Sequence, residues 1–120
     1  MSVEGGNIRV IDTPFIDAVP AAPKISDLLI YRDSYLVDFM GKRISFSRKE
    51  FGLLCLLASR PERVFTREEI WKKVWALEIK EMKGRTIDVH IRLLRKKLSD
   101  EVIVTVKGVG YKLSSFRATT

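Results

Sequence analysis

A single histidine, His90, and a single cysteine, Cys55, stand in a chain of 120 residues. That narrows the chemistry at once. Serine, histidine and aspartate are all present, so a Ser-His-Asp arrangement is formally open. His90, however, lies in the middle of the strongly basic stretch RTIDVHIRLLRKKL (85–98), and no nucleophile-elbow sequence accompanies it. With one histidine there is no His-pair metal site and no HExxH pattern. With one cysteine there is neither an internal disulfide nor a cysteine-based zinc site. GVG at 108–110 lacks the rest of a GxGxxG loop and does not open a helix, so it is not a phosphate cradle. His90 reads as a surface histidine in a polar network, and Cys55, within LLCLLA, as a buried inert thiol. The expectation is a chain without catalysis, metal or cofactor.

The chemistry that remains is that of the cations. Net charge is +7. Residues 1–24 hold Arg9 and Lys24 against Glu4, Asp12 and Asp17, so all of the positive excess lies behind them. A basic body favours a polyanion, either nucleic acid or an anionic membrane. The excess is concentrated at 85–98, with Arg85, Arg92, Arg95, Lys96 and Lys97 against Asp88. At about 100° per residue, Ile87, Ile91, Leu94 and Leu98 line one helix face. Arg85, Arg92 and Lys96 collect on the opposite face with Val89 and Leu93 among them. Guanidinium groups there suit phosphates or guanine edges, and small apolar side chains suit thymine methyls. Asp88 and Arg92, four apart, have the spacing of a favourable pair.

Other elements must hold that helix. Residues 1–24 contain three of the four prolines and a Gly-Gly pair and read as a linker or arm, although IRVID could pair as an edge strand. LLIYRD (28–33), YLVDF (35–39) and KRISF (42–46) form an antiparallel meander broken at Asp33-Ser34 and Gly41. Ser47 with Glu50, and Thr66 with Glu69, are capping boxes; Phe46 with Phe51, and Phe65 with Ile70, are the matching staples. The first helix runs from Arg48 to about Ser59, stops before Pro61, and buries Phe51, Leu54, Cys55 and Ala58. The second runs from about Arg67 to Ala76 and buries Ile70 and Val74, with Trp71 and Trp75 along an adjoining side. VIVTV (102–106) and YKLSSF (111–116) are strands joined through KGVG, where Gly108 and Gly110 can take positive φ. The order is β-β-β, α, α, α, β-β. Three helices and a glycine-tipped hairpin suit a winged helix, an α+β class, with the third helix in a major groove.

In SFSRKEFGLLCLL, VFTREEIWKKVW, RTIDVHIRLLRKKL and VTVKGVGYKL, taken in this order and spacing, the chain resembles the OmpR/PhoB-type winged-helix effector domain of bacterial response regulators. The resemblance covers roughly residues 27–114. It implies a four-stranded N-terminal β-platform, three helices and a C-terminal β-hairpin wing. It also implies sequence-specific binding of double-stranded DNA, commonly by two copies on direct repeats, and control of transcription. By position, Arg85 and Thr86 match phosphate contacts at the start of the recognition helix, and Val89 matches an apolar base contact. Arg92, Arg95 and Lys96 match polar or phosphate-contacting positions, and His90 falls in the pattern DVHI, near backbone or base. Lys107 at the wing tip matches a basic residue that enters the minor groove, and Tyr111 the wing's aromatic support. Leu93 stands where relatives often carry a polar or basic base-reader, so their target sequences do not transfer. The loop Leu77–Lys83 matches the segment the family offers to RNA polymerase.

The resulting division is an arm at 1–24, the winged-helix domain at 25–116 and a tail at 117–120. Residues 1–24 cannot supply a receiver domain. The chain is therefore either an effector part, to be joined with a receiver and a sensor kinase, or a free-standing regulator. No apolar run reaches ~18 residues and no signal peptide is visible, so a cytoplasmic protein without a membrane partner is expected. The rival reading is a winged-helix protein-interaction module or general nucleic-acid binder, since fold does not fix function.

Overall fold

The computed structural model describes residues 8–11, 28–75 and 84–114. The loop Leu77–Lys83, the tail and most of the arm lie outside the described residues. Four strands form the platform: β1 (Ile8–Ile11), β2 (Leu28–Tyr31), β3 (Leu36–Phe39) and β4 (Lys42–Ser45), in that spatial order. β2, β3 and β4 are the antiparallel meander, and β1 runs parallel to β2 at the edge, with Ile8 beside Leu28. β2 is buried along its whole length. Leu28 and Ile30 enter the main core, while Leu29 and Tyr31 face the other way with Leu36. Such a two-sided apolar run marks a covered strand. In β3 the alternation is plain. Val37 and Phe39 are buried, and Asp38 on the opposite face takes a bidentate pair from Arg43, its cross-strand partner, at 2.8 and 2.9 Å. Met40 and Gly41 turn the chain with φ of 53° and 77°, the twin positive φ of a two-residue hairpin.

Helix α1 (Arg48–Ser59) begins at the expected capping box. The Ser47 hydroxyl accepts from the Glu50 amide at 3.3 Å, and the Ser47 amide donates back to Glu50 Oε1 at 2.9 Å. Phe51, Leu54 and Ala58 are buried as the spacing predicts, and Leu53 and Leu57 join them. Cys55 is only half-buried, at the margin of the face. The inward stripe is rotated toward Leu53 and Leu57 because α1 is covered on several sides, by the platform, by the third helix and by the C-terminal strands.

The second helix departs further from expectation. Its capping box, Thr66 with Glu69, is intact. After α2 proper (Arg67–Ile70) the backbone widens into a π turn over Trp71–Trp75. Both tryptophans are buried, stacked with ring centroids 5.4 Å apart, and Val74 is left half-exposed. Two indoles offer far more apolar area than one valine, and the widened turn admits both.

Helix α3 (Gly84–Lys97) comes next, and then the wing strands β6 (Ile103–Val106) and β7 (Gly110–Leu113). A further strand, β5 (Phe65–Thr66), pairs with β7, giving the order β5-β7-β6. Gly108 has the positive φ, 79°, at the third position of the Val106–Val109 turn. Gly110 does not. Its lack of a side chain serves a close approach, because a Cβ there would overlap the Phe65 carbonyl across the β5–β7 ladder.

Candidate nucleic-acid interface

The predicted stripe of α3 is the buried one. Ile87, Ile91 and Leu94 are at most 1% exposed, and Leu98 packs half-buried against the same core. This orientation turns Arg85, Asp88, Val89, Arg92, Leu93 and Lys96 outward. Val89 at 43% and Leu93 at 37% are apolar side chains kept in contact with solvent. Among the described residues Arg85, Arg92, Lys96 and, at the wing tip, Lys107 form no ion pair. Their charge is available to a ligand. An open cleft of about 470 Å³ between α3 and the wing is lined by Asp88, Arg92, Arg95, Lys96, Asp100 and Tyr111.

The remaining site residues are half-buried or buried, and each is held by its neighbours. Thr86 is half-buried, and its carbonyl accepts from His90 Nδ1 at 2.8 Å. That bond places the proton on Nδ1. The His90 ring meets Trp75 edge-on, with centroids 5.1 Å apart, so His90 joins α3 to the π turn. Arg95 points to the wing. Its Nε and Nη2 donate to the Ile103 carbonyl at 3.1 and 2.8 Å, and Nη2 also reaches Thr105 Oγ1 at 2.7 Å. One guanidinium nitrogen, Nη1, is left for a ligand. Tyr111 is 5% exposed and lies beneath the surface.

Asp88 does not follow the i, i+4 expectation. Its Oδ1 accepts from the Tyr111 hydroxyl at 2.5 Å and from Arg67 Nε at 3.1 Å, and the Arg67 guanidinium lies over the Tyr111 ring at 5.2 Å. Burial pushes the Tyr111 hydroxyl pKa up, and the carboxylate of Asp88 pushes it further, with Arg67 opposing. Two tertiary donors, the Tyr111 hydroxyl and the Arg67 guanidinium, outcompete one exposed neighbour on the same helix. Sequence spacing also missed Lys97. Its ammonium donates to Glu50 Oε1 at 2.9 Å and to the Ser45 carbonyl at 3.1 Å while riding over the Phe46 ring at 4.9 Å. The last turn of α3 is thereby tied to the first turn of α1.

Three helices, a basic outer face on the third and a strand pair beside it define a winged-helix DNA-binding domain. Residues 41–113 match the family described as "Transcriptional regulatory protein, C terminal", and the chain belongs to that family. Its class is the OmpR/PhoB-type effector domain of response regulators, which regulate transcription. The chain is 43% identical over 90 residues to the heme response regulator HssR of Staphylococcus epidermidis, covering 71% of this chain and 40% of that protein. Response regulator DrrB of Thermotoga maritima, an OmpR/PhoB homologue, is similar in structure with a TM-score of 0.67 and 33% identity, over 76% of this chain and 43% of that one. The DNA-binding domain of Klebsiella pneumoniae RstA, solved with its RstA box, gives 0.65 and 28%, over 74% and 92%. The chain spans about 40% of the length of the curated relatives it matches. Among the described residues no helix is long and apolar enough to cross a membrane, and no cluster of three metal-ligating side chains occurs.

Proposed function

We propose that α3 enters the major groove of duplex DNA with its exposed row Arg85, Val89, Arg92, Leu93 and Lys96, while Lys107 reaches the adjacent minor groove. The observation that carries this reading is the exposed outer face of α3, where Arg85, Arg92 and Lys96 form no ion pair among the described residues and lie with the exposed Val89 and Leu93, together with an equally unpaired Lys107 at the wing tip. Unpaired cations that meet phosphate release counterions, and an exposed valine recovers its burial only against an apolar partner such as a thymine methyl. Arg85 and Thr86, at the start of the helix, contact phosphate. Val89 and Leu93 contact base methyls. Arg92 and Lys96 contact phosphate or guanine, and Arg95 adds a phosphate contact through its free Nη1. His90 and Tyr111 act from beneath, holding Thr86 and the wing.

The relatives solved with DNA, AdeR on an intercistronic region and RstA on its box, support this mode. In the longer protein we expect a receiver domain under a sensor kinase, two copies on direct repeats, and contact with RNA polymerase through Leu77–Lys83. Selection of bound sequences from a random duplex library tests the reading. A single enriched motif is expected, relaxed at one position in Arg92→Ala where that residue meets guanine and unchanged where it meets phosphate; recovery of unrelated sequences would leave only a general nucleic-acid binder.

A further inference from the structure

Asp88 is an acid on the face offered to a polyanion. Left alone there it would repel phosphate and weaken binding. Instead its Oδ1 is held by the Tyr111 hydroxyl of β7 at 2.5 Å and by Arg67 of α2 at 3.1 Å. Two turns further along α3, Arg95 holds the other wing strand through the Ile103 carbonyl and Thr105 Oγ1. The two struts grip β7 and β6 respectively, and both leave from α3. The hairpin that carries Lys107 is thus braced by polar bonds to the helix that carries Arg85, Val89 and Arg92, in addition to the core that Ile103 and Tyr111 join.

We propose that Asp88, with Arg67, Tyr111, Arg95 and Thr105, is a positioning device that fixes the wing to the recognition helix, so that the domain reads the spacing between its major-groove and minor-groove contacts. The proposal rests on the binding mode put forward above. A braced pair of readers tolerates only one separation along the duplex, whereas a wing hinged at its base would follow the groove wherever it lay. One inserted base pair lengthens the separation by about 3.4 Å, which exceeds the slack of hydrogen bonds near 3 Å.

The experiment uses the selected duplex and a second duplex with one base pair inserted between the segment touched by α3 and the segment whose protection is lost in Lys107→Ala. Binding is measured by anisotropy, and the quantity read is the ratio of the two dissociation constants. For the wild-type chain the insertion should weaken binding about tenfold or more, the scale of one lost specific contact. In Asp88→Ala and in Tyr111→Phe that ratio should fall at least about threefold, with the strut to β7 broken and, in Tyr111→Phe, the ring still in place; Thr105→Val, which leaves Arg95 on the Ile103 carbonyl, should lower it less. In a Lys107→Ala background the same changes should no longer alter the ratio. If the variants weaken both duplexes by one common factor, their role is structural and the proposal is overturned. A ratio that changes in Asp88→Ala alone also overturns it, because Asp88 would then contact a base directly. A wild-type chain that selects a sequence but tolerates the insertion overturns the device while sparing the binding mode. One that selects no sequence overturns both.

Discussion

Lys97→Met removes the ammonium that pairs with Glu50 and rides over the Phe46 ring, and keeps an unbranched apolar side chain in its place. The carboxylate it leaves behind, Glu50, is 5% exposed, whereas the Lys97 side chain is 37% exposed. Breaking a fully buried pair costs ~3–5 kcal/mol, and an exposed pair is worth ~0.2–1 kcal/mol. A pair closed at the acid and half-open at the base falls between these, at about 2 kcal/mol. For a domain of this size that is a fall in Tm of about 10 °C. Glu50→Gln should cost less, because its amide oxygen still accepts from the Ser47 amide and the freed ammonium can turn to water. The double variant should recover part of the Lys97→Met loss.

The pH dependence follows from the carboxyl of Glu50. Burial acts to raise its pKa, but the hydrogen bonds from Lys97 and the Ser47 amide outweigh burial and hold it below the ordinary value of 4.5. A depressed folded pKa means that the contribution is complete above the unfolded value and is lost as pH falls through the folded one. The advantage of wild type over Glu50→Gln should therefore be constant near neutrality and shrink once pH drops below about 4.5. Urea denaturation of the four chains across that range measures it. A Lys97→Met loss under about 0.5 kcal/mol, with a gap to Glu50→Gln that ignores pH, would refute the reasoning.

Gly110→Ala should destabilise the wing by about 1–3 kcal/mol or more, since the added methyl meets the Phe65 backbone; Gly108→Ala, with open space around it, should cost only the left-handed conformation, about 1–2 kcal/mol. Chemical denaturation of both separates steric from conformational cost. Four unpaired cations predict a plot of log K against log salt with a slope of about −3.6, and an anisotropy titration giving a flat response would contradict the interface. Arg85→Ala should weaken specific and scrambled duplexes alike if its contact is to phosphate, which a paired titration checks. Replacing thymine by uracil at each position of the selected site should weaken wild-type binding by up to about 1 kcal/mol at one position, and should matter less to Val89→Ala.

Local spacing determined much of this protein. Both capping boxes, the buried stripe of Ile87, Ile91 and Leu94, and the exposed valine and leucine opposite it were legible because each depends on residues within a turn or two of one another. The motif order also placed the chain in its family. What the sequence could not reveal involves partners far apart along the chain. Asp88 has a plausible helix neighbour in Arg92, yet its partners are 21 and 23 residues away, on α2 and β7. Lys97 meets Glu50 across 47 residues, which no periodicity encodes. β5 is two residues long, too short to show alternation, and exists because β7 lies beside it. The π turn reflects competition between Val74 and two tryptophans for one core, decided by the area each can bury there. Gly110 looked like a turn glycine and is a contact glycine, because the backbone it must clear belongs to Phe65, a residue that only the folded sheet brings near.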